Sequence, residues 1–155
     1  MRMNKVVLNT ASEARYRLLL LLSVLPKVEY SYSWLSCMDF ITIYGAAFDI
    51  SSVNLHGNNR MKFTEYATRG IEVNQGIRTL AMSGWVVATA DKTGFMYRIT
   101  ESGQAFADAL ETSYAKIYRL QASLAYAKYG KQNAADLDAL IRRKALSAQE
   151  EDLNG

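Results

Sequence analysis

The chain has 155 residues, a formal net charge of +3, and one hydrophobic residue in every two. That is apolar material enough for a real core, and a charged fraction of 21% with one proline and nine glycines excludes a disordered tail or a linker-rich protein. The mild basicity permits contact with nucleic acid without demanding it, because dedicated binders concentrate their charge on one face.

In chain order, Thr10-Ala-Ser-Glu13 has the spacing of a capping box and opens a first helix. The run Leu18 to Leu22 is far shorter than the roughly 20 residues of a membrane span. Arg15 and Arg17 precede it and no small-residue cleavage site follows, so it reads as a deeply buried helix ended by Pro26, in a cytoplasmic protein. A second helix is expected from near Ser33 through Trp34, Leu35, Met38, Phe40, Ile41 and Tyr44, with Gly45 as its stop. It carries Cys37, which as the only cysteine cannot form an internal disulfide and reads as a buried thiol. Ala46 to Phe63 has neither a helical nor a strand period, and a structureless stretch of that length is often functional.

Thr64 is expected to cap a third helix that runs to Ser83 and is closed by Gly84. Trp85 to Ala90 and Phe95 to Ile99, joined by Asp91-Lys-Thr-Gly94, read as a β-hairpin with Phe95, Tyr97 and Ile99 on one face. Thr100-Glu-Ser-Gly103 caps what reads as one long helix. Its positions Phe106, Leu110, Ser113, Ile117, Leu120, Leu124 and Ala127 form a heptad-like stripe suited to association. After Gly130 a short amphipathic helix is expected around Ala134 to Leu146, with the end from Glu150 frayed.

Three helices followed by a hairpin and a capped helix are the order of a winged helix. The expected fold is therefore mostly α with a small β-hairpin: a winged helix-turn-helix-like domain over 1–103, a C-terminal helical extension over 104–149, and a frayed tail over 150–155.

The residues that carry chemistry are sparse. His56 is the only histidine, no CxxC stands for zinc, and neither GxGxxG nor GxxxxGK[ST] occurs. The expectation is a protein that is not an enzyme and has no metal, no cofactor, no small-molecule substrate and no membrane. A DNA-reading third helix would present Arg, Lys, Asn or Gln to the groove. At 100° per residue its apolar side collects Tyr66, Ala67, Ile71, Val73, Ile77, Leu80 and Ala81. The other side shows Glu65, Thr68, Arg69, Glu72, Gln75, Arg78, Thr79 and Ser83, whose charges cancel; Glu65 and Arg69 form an i,i+4 pair. Basic residues lie elsewhere, and Arg15, Arg17, Arg142, Arg143 and Lys144 are the candidate DNA or phosphate contacts; for the last three a solvated helix face is the alternative.

Several short stretches form a pattern in their order and spacing: Leu8-Asn-Thr-Ala-Ser-Glu-Ala-Arg15, Met38-Asp39-Phe40, Phe48-Asp49, Asn54-Leu-His56, Arg60, Glu65, Arg69, Gln75-Gly-Ile-Arg-Thr-Leu80, Ser83-Gly84-Trp85 and Glu111-Thr-Ser-Tyr114. Over roughly residues 8–130 the chain resembles the middle component of bacterial ABC-three-component systems, the small subunit of Lamassu-type defence. It departs from that family where Gly57-Asn58-Asn59 replaces a proline-containing stretch after the histidine.

The resemblance implies a non-catalytic adaptor beside an SMC- or Rad50-like ATPase and an effector, often a nuclease, with DNA reached through the complex. It implies that Asp39, Asp49, His56, Arg60, Glu65 and Arg69 form a partner interface. The alternative for these six is intramolecular, as ion pairs that fix the long loop on the domain. The alternative for the whole chain is a winged-helix transcriptional regulator.

Overall fold

A computed structural model describes residues 11–57 and 62–154. Thr10, Arg2, Lys5 and Arg60 lie outside the described residues, and with them the first capping box.

Helix α1 (Ala11–Val24) is the central element. Leu18 to Leu22 are all buried because α1 is packed by helices on several sides, which is why its apolar run has no polar face. Beyond Pro26, the Lys27 ammonium donates to the carbonyls of Leu22, Ser23 and Leu25 at 3.2, 2.8 and 3.1 Å, satisfying acceptors left open at the helix end. A two-residue strand β1 (Tyr30–Ser31) follows, then α2 (Tyr32–Ile43). Ser31 caps α2 by accepting from the Trp34 amide at 3.2 Å, and every residue from Trp34 to Ile43 is buried.

Gly45–Phe48 forms a 3-10 turn ended by Asp49, whose φ of 59° is left-handed. The stretch after it is irregular but tied down. Leu55 N–H donates to Ile43 O at 2.7 Å, and Ala46 N–H to the Asn54 side chain at 3.1 Å.

Helix α3 (Tyr66–Met82) starts one residue later than expected. Glu65, not Thr64, occupies the cap position, and Glu65 makes no side-chain capping bond. Gly84, with φ 77°, closes α3 as the sequence predicts. Strands β2 (Val86–Asp91) and β3 (Gly94–Ile99) pair antiparallel from Val86–Ile99 to Asp91–Gly94. Asp91 Oδ1 accepts from the Thr93 amide and hydroxyl, both at 2.7 Å, and fixes the two-residue turn. Tyr97 and Ile99 are buried, but Phe95 near the tip is exposed. The sheet has a third strand that two residues were too few to announce: β1 pairs with β3 through Tyr30–Tyr97 and Ser31–Met96, giving the order β1-β3-β2. The chain is mostly helical with this small antiparallel sheet, an arrangement compatible with a winged helix.

The single long helix expected after Thr100 is two. Thr100 caps α4 (Glu101–Ala109) by accepting from the Gly103 amide at 3.1 Å. The backbone then turns extended at Leu110, and Thr112 caps α5 (Ser113–Tyr129) by accepting from the Ala115 amide at 3.1 Å. The heptad stripe does not survive as one seam. Phe106 stacks on Trp85 with ring centroids 4.1 Å apart, whereas Ile117, Leu120 and Leu124 point outward. The face of α5 that meets the core is Ala115, Tyr118, Gln121, Ala122, Ala125 and Tyr129.

Helix α6 (Ala134–Asn154) is longer than expected and runs through the acidic stretch. Asn133 accepts from the Asp136 amide at 2.8 Å at its start, and Leu137 and Ile141 enter the core. α1 and α2 each pack against both α3 and α5, so this central pair is flanked by α3 and α5, and α6 packs on α2.

Candidate functional site

Two of the residues singled out in the sequence meet inside the core. Arg17 on α1 donates from Nε to both Asp39 carboxylate oxygens at 3.0 and 3.2 Å, and from Nη2 to Oδ2 at 3.1 Å. Asp39 on α2 also accepts from the Tyr118 hydroxyl of α5 at 2.6 Å. All three are buried. Burial opposes the charge on Arg17, but Asp39 against it outweighs burial and holds the guanidinium above its ordinary value. Burial, with Asp39 adding to it, pushes the Tyr118 phenol well up, so that it stays a donor. Arg17 is thus no phosphate contact and Asp39 no surface residue: both are consumed in a fork that ties three helices together.

The long loop is seated beside this fork. His56 Nε2 lies 2.7 Å from the Tyr114 hydroxyl of α5, and Tyr114 stacks on Tyr118 with centroids 6.2 Å apart. Burial first, then the positive charges of Arg69 and Arg17, press His56 down to about 4 and keep the imidazole neutral at physiological pH. Arg69, assigned by helical projection to the outer side of α3, is buried. It donates from Nη2 to Glu65 Oε2 at 3.0 Å, the expected i,i+4 pair, and to the Tyr44 hydroxyl at 3.3 Å. Arg17 Nη1, Arg69 Nε and Nη1, His56 Nδ1 and Glu72 Oε2 have no hydrogen-bond partner among the described residues.

The remaining candidates are scattered. Asp49 is exposed and pairs with Lys144 at 3.5 Å. Arg142 pairs with Asp138 at 2.8 Å, Arg143 is exposed, and half-buried Arg15 donates to the Tyr16 hydroxyl at 3.0 Å. Arg142 and Lys144 thus each stand beside a carboxylate on the surface of α6, with Arg143 exposed between them. Cys37 sits in a cavity of about 500 Å³ between α2, α3 and α6. Its thiol lies 3.2 Å from the Tyr66 hydroxyl, and burial pushes it up, away from the thiolate form. Among the described residues no group of His, Cys, Asp and Glu side chains stands where it could hold a metal, and no helix is long and apolar enough to cross a membrane.

What sequence reasoning missed is the surface. The outward face of α3 is Thr68, Ile71, Gln75, Arg78 and Met82, with Ile71 62% and Met82 89% exposed. Helical projection places Ile71 on the core side and Arg69 outside; the helix is rotated so that the guanidinium goes in and the isoleucine goes out. Ile71 and Met82 lie towards the two ends of this face with Gln75 and Arg78 between them, two exposed apolar points on a mixed surface. Arg78 is the one basic residue of α3 that is exposed, a poor match to a DNA groove.

The fold is a small helical module with a hairpin placed as a wing would be, and apolar side chains stand exposed on two of its helices. The chain matches the family described as ABC-three component (ABC-3C) system Middle Component 2 over residues 7–151, and it belongs to that family. It is therefore a middle component whose partners are the other members of a multi-subunit system. No curated protein and no solved structure matches the chain.

Proposed function

We propose that this middle component is a non-catalytic adaptor that bridges an SMC- or Rad50-like ATPase and an effector, a nuclease in the simplest case, and helps hold the effector inactive until foreign DNA is sensed. The observation that carries the reading is the exposed large apolar side chains on two helices, Ile71 and Met82 of α3 and Ile117, Leu120 and Leu124 of α5, set on either flank of one core. A bridge needs two separable surfaces, and an adaptor needs a rigid body between them. The buried fork of Arg17, Asp39 and Tyr118 supplies the rigidity by locking α1, α2 and α5. The buried, protonated Cys37 and the neutral His56 are far apart in role as well as in sequence, which suits a subunit without chemistry of its own.

The test is purification of the tagged protein from its native operon with sizing and mass spectrometry. Recovery of an ATPase and an effector at fixed ratios, in the cytoplasmic fraction, is the expected result. A lone dimer that shifts one specific duplex at physiological salt would instead make the chain a winged-helix regulator and sink the adaptor reading.

A further inference from the structure

The outward face of α5 has a composition that selects its own partner. Ile117, Leu120, Leu124 and Ala127 follow one another at intervals of three, four and three residues, the spacing of a two-helix seam. All four are exposed, the first three at 42, 61 and 38%. This is not residual greasiness of a core helix, because the core-facing side of α5 is the milder one, made of alanines, two tyrosines and Gln121. Gln121, at the edge of the seam, donates to the Val53 carbonyl at 3.1 Å and so ties the loop to this helix.

Charge then decides what covers it. On the helical wheel Lys116 flanks the seam on one side and Lys128 on the other; both are exposed, and the Lys128 ammonium also donates to the Phe48 and Asp49 carbonyls, both at 3.4 Å. From Ser113 to Tyr129 the helix has no carboxylate. Two copies joined through this face would bring lysines together with no acid on either helix to offset them, and flanking charges are what set partner choice in such pairs.

We propose that α5 is the docking seam for an amphipathic helix of a partner protein, one with apolar residues at three- and four-residue intervals and Glu or Asp on both flanks. The inference deepens the adaptor reading by giving one of its two surfaces a ligand chemistry, but it is read from α5 alone.

It is tested by titrating the full chain against two fluorescent three-heptad peptides with leucine in the seam, one flanked by glutamates and one by lysines. The glutamate-flanked peptide should bind saturably and weaken as salt is raised. Leu120→Ser with Leu124→Ser should weaken it by about tenfold or more, and Lys116→Glu with Lys128→Glu should transfer the preference to the lysine-flanked peptide. These positions are exposed, so the variants should keep the helical circular dichroism of the parent. Equal binding of the two peptides, no binding of either, or binding indifferent to the serine pair would overturn the proposal. So would a homodimer in sedimentation equilibrium that the serine pair dissolves. If the peptide titration succeeds while no partner is recovered from the operon, the adaptor reading fails and the seam stands; the reverse result fails the seam alone.

Discussion

At the scale of single residues, the fold depends on a charge pair that hydrophobic patterning hides. Arg17 precedes the leucine run and reads as a candidate phosphate contact, yet the next turn of α1 is buried all round, so its guanidinium turns inward onto Asp39. Removing one member strands the other in a low-dielectric interior. Asp39→Ala is expected to cost about 3–5 kcal/mol of stability, and replacing both residues with apolar ones, Arg17→Met with Asp39→Leu, should recover part of it, short by the roughly 1–3 kcal/mol of leaving the buried Tyr118 hydroxyl without its acceptor. Urea melts of the two variants decide the point; a double variant as damaged as the single would show that the pair specifies the packing and not merely its own neutrality.

His56 gives a second residue-scale expectation. Its folded value of about 4 lies below the ordinary 6.5, so the unfolded chain takes up a proton first as pH falls. The stability this site contributes is complete above pH 6.5 and is lost progressively down to about 4, on the order of 2–3 kcal/mol in all. Thermal melts should therefore fall across that window, and His56→Gln should flatten the slope there while leaving the carboxylate-driven loss at lower pH.

At the scale of elements, legibility followed local chemistry. The hairpin turn, the Gly84 stop and the Thr100 cap were readable because each is fixed by residues within a few positions of one another. The break between α4 and α5 was not. Leu110 to Thr112 contains neither glycine nor proline, and a continuous apolar stripe crosses it. The stripe misled because α5 reverses the usual amphipathic rule, with alanines inward where α1 and α2 come close and isoleucine and leucine outward.

The α4 junction has a testable requirement of its own. A Cβ on Gly103 would strike the carbonyl oxygen of Trp85, the same oxygen that accepts from the Thr100 amide at 3.0 Å. Gly103→Ala gains helix propensity of about 1 kcal/mol and would stabilise an unobstructed helix. Here the expected sign is reversed, with a net loss of about 1–3 kcal/mol as the first turn of α4 is pushed off the end of the hairpin. A rise in melting temperature would refute the close packing.

At the scale of the whole molecule, the five described interface candidates divide by depth. Asp39 and Arg69 hold the interior, His56 seats the loop, Glu65 pairs with Arg69, and Asp49 alone of the five is exposed. The adaptor reading then requires that the α3 and α5 faces be used independently, since α1 and α2 stand between them. Ile71→Glu with Met82→Glu alters only exposed positions and should leave stability within about 0.5 kcal/mol of the parent. In a reconstituted three-component complex it should cost one partner and spare the other, and Leu120→Ser with Leu124→Ser should do the converse. Quantified by sizing and mass spectrometry, loss of both partners with either variant would mean a single composite interface, and the chain would be a subunit wedged between its partners and not a bridge that holds them apart.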